Sequence, residues 1–207
     1  MPCQIGLTPT TLHRWVGEAL RTSLDSVRFY LQSEGQGVAR VKHIEFDPIE
    51  EARRQWVGHG WADAAQGMAV VTSVFRAQRI YMARIDTVLR PFELTFARFE
   101  LLTLLYFTRT GSLPMNKLGV RLQVHPTSVT SCVDRLEGTD LVRRVAHDTD
   151  RRTTLVEILP AGRKVLYRAM AALNEEVFAN PGFSEEDCVT LFGLLHQLRA
   201  DEGDFGN

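Results

Sequence analysis

Residues 125–159 read "HPTSVTSCVDRLEGTDLVRRVAHDTDRRTTLVEIL", and this stretch decides the fold. Pro126 suits the first turn of a helix, where its missing N–H has no intrahelical partner to lose, and Gly138 suits the end of one. Between them Val129, Val133 and Leu136 fall at i, i+4 and i+7, with Cys132 on the same arc, which is the pattern of a buried helical face. Thr127, Ser128, Thr130, Ser131, Asp134 and Arg135 lie outside that arc. Beyond the helix, "LVRRVAH" and "TTLVEIL" flank the turn "DTDR" as the two arms of a β-hairpin.

A helix that turns short hydroxyl side chains to one side can lie in the major groove of a duplex, because those groups reach both phosphates and base edges at little entropic cost. The first turn of such a helix also favours phosphate. On the hairpin tip, Arg151 and Arg152 protrude where a guanidinium can enter a narrow minor groove. Asp150 is placed to orient one of them by a bidentate pair. Each feature alone fits an ordinary solvated surface. Helix, hairpin and tip in succession favour DNA.

Outward from this stretch the chain reads as helices. Asp47-Pro48, with Glu50 and Glu51 in the first turn, opens one that "GHG" interrupts at 58–60. A long segment follows, with Met68, Val71, Val74, Phe75, Met82, Ile85, Val88 and Leu89 on its apolar side, and Pro91 ends it. Thr95 caps "FARFELLTLLYFTR", which is apolar nearly all round and expected to be central. "LPMNKLGVRL" reads as a short helix. "AGRKVLYRAMAALNEEVF" and "SEEDCVTLFGLLHQLRAD" read as two closing amphipathic helices, the second with a cap-like Ser184 and Asp187. At the other end, Thr8-Pro9 and the spacing of Leu12, Val16, Leu20, Leu24, Val27 and Leu31 predict an extra helix over 9–32, followed by a linker.

The order is that of a winged helix-turn-helix inside a mostly α chain with a small β-hairpin wing. The expected divisions are an N-terminal helical extension and linker over 1–46, a helical dimerisation region formed by 47–93 and 160–207, and a DNA-binding domain over 94–159.

The formal net charge of -1 does not advertise a polyanion partner, but its distribution does. From 109 to 152 there are eight basic residues against five acidic; from 175 to 204 there are eight acidic residues against Arg199 alone. The three cysteines, Cys3, Cys132 and Cys188, are widely spaced and fit reduced thiols rather than a disulfide framework. With no export signal and no apolar run of membrane-spanning length, the expected location is the cytoplasm.

"VTSCVDRLEGTDLVRR" followed by "DTDRRTTLVEILPAGRKV" resembles the MarR family of regulators, the multiple-antibiotic-resistance type. The matching residues are Val133-Asp134-Arg135-Leu136-Glu137, Leu141-Val142-Arg143-Arg144 and Asp150-Arg151-Arg152, with "LTFARFELL" matching the start of an earlier family helix. Asp140 stands where the family has Gly. The similarity runs over roughly 50–180. It implies a two-fold dimer built from the first and last helices, bound to a pseudo-palindromic operator. It makes Arg152 the minor-groove arginine and Asp150 its supporting acid. The expected DNA-contacting set is Thr127, Ser128, Thr130, Ser131, Arg135, Arg143, Asp150, Arg151 and Arg152.

"DPIEEARRQW" and "MAVVTSVFRAQRIY" further resemble the urate-responsive branch of that family. Trp56 aligns with the ligand-side tryptophan of that branch, Glu100 with its aspartate, and Tyr106 with a nearby arginine. Without that cation an anionic purine would be poorly held. Trp56, Trp61, Phe99, Glu100 and Tyr106 remain as candidates for an apolar pocket that takes an aromatic effector.

Two rival readings stand beside this one. A thiol-based sensor on the same fold would use a cysteine, but Cys132 lies on the buried arc and Cys188 follows Glu185, Glu186 and Asp187, which disfavour thiolate. A small cytoplasmic enzyme would need a catalytic or metal motif. The six histidines are scattered, no H-E-x-x-H, G-x-S-x-G or phosphate loop occurs, and "GQGVAR" and "GHGWAD" lack the third glycine of a dinucleotide site. No cofactor, metal ligand or catalytic residue is expected.

Overall fold

The computed structural model describes residues 45–147 and 153–206. The expected helix over 9–32 with its linker, Cys3, and the hairpin tip with Asp150, Arg151 and Arg152 lie outside the described residues.

Helix α1 (Pro48–Gly58) starts where Asp47 accepts a hydrogen bond from the Ile49 amide at 2.9 Å. It ends at His59 and at Gly60, whose φ of 86° lies in the left-handed region. Helix α2 (Ala62–Leu89) is one long rod. Its apolar side is buried only where it meets the rest of the chain: Ile85, Val88 and Leu89 are in the core, whereas Val71, Val74 and Phe75 are exposed. The first half of this helix thus carries its apolar side uncovered by the described residues.

Pro91 breaks the rod into a 3-10 turn (Arg90–Phe92), and Thr95 caps α3 (Phe96–Phe107) by accepting from the Arg98 amide. Phe99, Leu101, Leu102 and Leu105 are buried, which makes α3 the central helix as its composition demands. Phe107, at its end, is 70% exposed.

The segment "LPMNKLGVRL" is not all helix. Ser112–Pro114 forms strand β1, and α4 (Met115–Leu122) begins only after it. Helix α5 (Pro126–Glu137) is followed by strands β2 (Val142–Ala146) and β3 (Thr154–Ile158). The wing is thus a three-stranded antiparallel sheet in the order β1-β3-β2, not a hairpin alone. In register, Leu113 faces Val156 and Pro114 faces Leu155, while Arg143 faces Glu157. Proline is tolerated because β1 is an edge strand with a free side.

Helix α6 (Pro160–Leu173) passes into a π-helical turn (Asn174–Phe178) where the sequence predicts one unbroken helix. Helix α7 (Glu185–Asp201) is capped by the Ser184 hydroxyl, which accepts from the Asp187 amide at 3.1 Å, and buries no residue. The core gathers Leu89, Leu101, Leu102, Leu105, Leu118, Val133, Leu136, Val156, Leu166 and Leu173 around α3.

One close approach fixes α6 against the end of α5. A Cβ on the buried Gly162 would stand 2.2 Å from the Leu141 carbonyl oxygen and 3.0 Å from Ile158 Cγ1. Alanine is the better helix former by roughly 0.5–1 kcal/mol, but the clash with backbone outweighs it. Gly162→Ala is expected to lose about 2–3 kcal/mol of stability. Urea unfolding reads this directly, and a loss below about 0.5 kcal/mol would show that the α6 start yields freely.

Candidate nucleic-acid interface

Helix α5 divides its residues as the spacing predicts. Val129, Val133 and Leu136 are buried, Cys132 is half-buried, and Thr127, Ser128, Thr130, Ser131, Asp134 and Arg135 are exposed. The helix is capped by a residue that sequence reasoning passed over. His125 Nδ1 accepts from the Thr127 amide at 3.3 Å and lies 3.1 Å from the Thr127 hydroxyl. The bond from the Thr127 amide makes Nδ1 the accepting nitrogen of the ring. Histidine is an uncommon cap, so only the geometry exposes it. The Thr130 hydroxyl donates back to the Pro126 carbonyl at 3.1 Å, which leaves its oxygen a further acceptor site toward solvent.

The wing is tied to this helix by Arg144. Its guanidinium donates to Asp134 Oδ1 at 2.5 Å and to Glu137 Oε2, and its amide donates to Glu137 Oε1 at 2.8 Å. Two acids on the last turns of α5 thus hold β2. The Arg144 amide foremost, with its guanidinium adding to it, keeps the Glu137 carboxyl below the usual glutamate value. Arg143 points the other way and donates to Glu157 Oε2 across the sheet at 2.8 Å. Sequence reading placed Arg143 among the DNA contacts and gave Arg144 no role. The alternation of a strand, which sends adjacent side chains to opposite faces, separates the two. Lys117 and Arg121 are exposed on α4, the helix before the turn.

The effector candidates fall in separate places. Trp56 and Trp61 meet edge to face at 5.6 Å across the α1–α2 corner, and His59 stacks on Trp61 at 5.7 Å. Phe99 is in the core, with its ring 6.2 Å from that of Phe96. Burial raises the Glu100 carboxyl pKa. Tyr106 lies under the Arg163 guanidinium at 5.8 Å. An open cleft of about 350 Å³ between α2 and the π-helical turn is lined by other residues, namely Ala83, Arg84, Thr87, Val88, Glu176 and Val177.

Burial pushes the Cys132 thiol pKa up, with Arg98 and Arg135 pulling the other way. That keeps it in the thiol form, which is the less reactive one. Among the described residues no group of His, Cys, Asp or Glu is placed to hold a metal ion, and no helix is long and apolar enough to cross a membrane.

A helix-turn-helix whose second helix shows hydroxyls to solvent, followed by a strand-built wing, defines the winged helix-turn-helix class of transcriptional regulators. Residues 94–154 match the model of the MarR family. The solved structure of Sco5413, a MarR family transcriptional regulator from Streptomyces coelicolor, is 42% identical, covers 69% of this chain and 99% of its own, and superposes with a TM-score of 0.63. The chain belongs to the MarR family of transcriptional regulators. Sco3205, a regulator of the same family and organism solved in complex with DNA, shares the fold at 22% identity and a TM-score of 0.59, over 67% of this chain and 88% of its own. The HTH-type transcriptional regulator YhbI of Bacillus subtilis is 29% identical over 85 residues, which is 41% of this chain; the match spans 54% of the length of that relative.

Arg144→Ala is expected to cost about 1 kcal/mol, because it removes a partly shielded pair of charged hydrogen bonds. Arg143→Ala, which breaks one exposed pair, should cost about 0–0.5 kcal/mol. Urea midpoints compare the two, and equal losses would show that Arg144 ties β2 to α5 no more strongly than Arg143 ties it to β3.

A second expectation concerns pH. A carboxylate held below its ordinary value stabilises the fold fully above about 4.5, its unfolded value, and ceases to as pH falls through the lower folded one. The stability gap between the wild type and Glu137→Gln should therefore be flat from neutral pH to about pH 5 and close below pH 4.5. Chemical unfolding at several pH values reads the gap, and one that widens toward acid would reverse the sign.

Proposed function

We propose that the chain is a homodimeric, sequence-specific repressor that binds a pseudo-palindromic duplex operator, with α5 in the major groove and the arginine-bearing turn of the wing in the minor groove. The observation that carries this reading is the division of α5: three aliphatic side chains face inward and four hydroxyl side chains, Thr127, Ser128, Thr130 and Ser131, face outward. Short hydroxyls at those positions reach both base edges and phosphates, and the wing that follows the helix adds to that reading. That Sco3205, which shares the fold, was solved in complex with DNA supports DNA as the partner.

A second copy is the natural cover for the apolar surface on α2 and α7. On α7, Phe192 is 64% exposed and Val189, Leu194 and Leu198 are exposed beside it; on α2, Phe75 is 59% exposed with Val70, Val71 and Val74 near it. That much aliphatic and aromatic surface on the flanking helices fits an obligate interface better than a free one. The two recognition helices of such a dimer would sit about one DNA turn, ~34 Å, apart.

Release by a small aromatic effector belongs to the same reading. Trp61, 52% exposed and stacked with His59 beside Trp56, is the aromatic surface best placed to meet one. Phe99 serves this only as core support, and Glu100 and Tyr106 lie on a different helix.

Genomic fragments retained by the purified protein supply the operator, and fluorescence anisotropy at several salt concentrations then tests the contacts. Thr130→Ala or Ser131→Ala is expected to lose roughly 1–3 kcal/mol on operator and little on random DNA. Arg152→Ala should weaken binding strongly and make the salt slope shallower by about one unit, with Arg151→Ala weaker in both respects. Asp150→Ala should cost less than Arg152→Ala and not add to it, since both act through one guanidinium. Equal losses on operator and random DNA for the α5 variants would reduce the helix to a phosphate contact. Retention of no fragment at all would remove the DNA reading.

A further inference from the structure

Beyond α7 the chain turns back on itself. Gly203, with φ of 70°, lets its amide donate to the Ala200 carbonyl at 3.1 Å, and the Asp204 amide donates to the Arg199 carbonyl at 2.9 Å. The reversal lays the Phe205 ring against His196, with centroids 4.8 Å apart, and under the Arg199 guanidinium at 5.4 Å. Arg199 Nη1 also stands 3.9 Å from Asp204 Oδ2. The tail is thereby ordered on the last turns of α7, and the Asp204 carbonyl is presented outward.

That carbonyl accepts a hydrogen bond from Gln123 Nε2 at 2.8 Å, a contact between residues 81 positions apart. Gln123 is the turn of the helix-turn-helix. It closes α4 with φ of 53°, its amide donating to the Val120 carbonyl at 3.3 Å, and the next amide, of Val124, donates to the Gly119 carbonyl at 3.2 Å. Glycine or asparagine enters the left-handed region more readily than glutamine does. Asparagine would be one methylene shorter. The residue present gives up backbone ease and has the length to reach the tail.

Helix α7 contributes no buried residue to the core, so the core does not dictate its direction relative to the reading head. A single exposed hydrogen bond would dictate little either. Here the acceptor is fixed from behind by Phe205, His196 and Arg199, so the bond joins two ordered bodies rather than a free end.

We propose that Asp204 and Phe205 form a clasp that fixes the helix-turn-helix relative to α7 through Gln123, and so sets the separation at which paired recognition helices fit DNA. Gln123 is then a positioning residue that acts on spacing, not on base identity. The spacing part rests on the dimeric DNA reading above; the clasp itself does not.

The test uses the full chain in two arms. In the first, without DNA, Cys3, Cys132 and Cys188 are replaced by alanine and nitroxides are placed at Ser131→Cys on α5 and Thr190→Cys on α7. Labelled chain is diluted into unlabelled chain so that one molecule's pair is read. A narrow distance distribution is expected, broadened both by Gln123→Glu, which keeps length and loses the donor, and by Phe205→Ala, at the other end of the clasp. Unchanged distributions in both variants would overturn the clasp.

In the second arm, one base pair is inserted at the centre of the operator. The wild type is expected to lose affinity by about tenfold or more, since the insertion both moves and rotates one half-site and the complex must twist to compensate. The two variants should lose about threefold or less, with unchanged preference among half-site sequences. A wild-type penalty in both variants would overturn the role in spacing. Should the wild type bind no DNA, the DNA reading falls together with the spacing role, while the distance arm still decides whether the clasp holds the reading head.

Discussion

The fold turns on Leu141. Its amide donates to the Leu136 carbonyl at 2.9 Å and closes α5, and its carbonyl accepts from the Leu159 amide at 3.0 Å where β3 ends. The same carbonyl is the atom against which Gly162 packs. Helix α5, the sheet and α6 thus converge on the backbone of one residue. The consequence is geometric: α5 cannot rotate about its axis without moving the wing and the start of α6 together. The hydroxyl face of α5 inherits its aim from a backbone junction at the half-buried Leu141, where both the amide and the carbonyl are paired and the Gly162 backbone leaves no room.

Asp140 sits beside this junction with φ of 55°, where the family pattern has glycine. An aspartate there costs something, since only glycine enters the left-handed region freely. Its amide still finds the Glu137 carbonyl at 3.0 Å, so the substitution changes the strain of the turn and not its hydrogen bonding. Arg144 reinforces the same corner from outside the core. Because it holds both Asp134 and Glu137, it fixes the last turns of α5 to the sheet at a point solvent can reach.

Much of this was legible from local sequence, for reasons that are themselves local. The caps at Asp47, Thr95 and Ser184 announce helix starts because the groups that satisfy the first amides lie within three residues of them. The Val129, Val133 and Leu136 arc announces the inner face of α5 because helical periodicity is a property of one segment. Strand β1 was not legible: three residues carry no period, and its partner β3 lies more than 40 positions on. The exposed half of α2 was not legible either, since an apolar stripe looks the same whether its cover is the same chain or another. Nor were Gln123 and Arg144, whose partners are fixed only by the tertiary fold. On α5 the division into an inner and an outer face could be read, and the contacts that fix its aim could not.

The weak overall charge has a simple resolution in these contacts. Of the basic residues between 109 and 152, Arg144 is committed to Asp134 and Glu137 and Arg143 to Glu157. A cation already paired gains less from a phosphate, because approaching it means sharing or breaking the existing bond. These two arginines therefore add to architecture more than to attraction. In the proposed complex attraction would fall to other cations, Lys117 and Arg121 on α4 among them. Lys117 and Arg121 are exposed on the helix that leads into the turn before α5. A reading helix whose outer face is rich in hydroxyls would then divide the work of the proposed interface. The cations would bring the duplex in by charge, which carries no sequence information, and the hydroxyls would be left to discriminate.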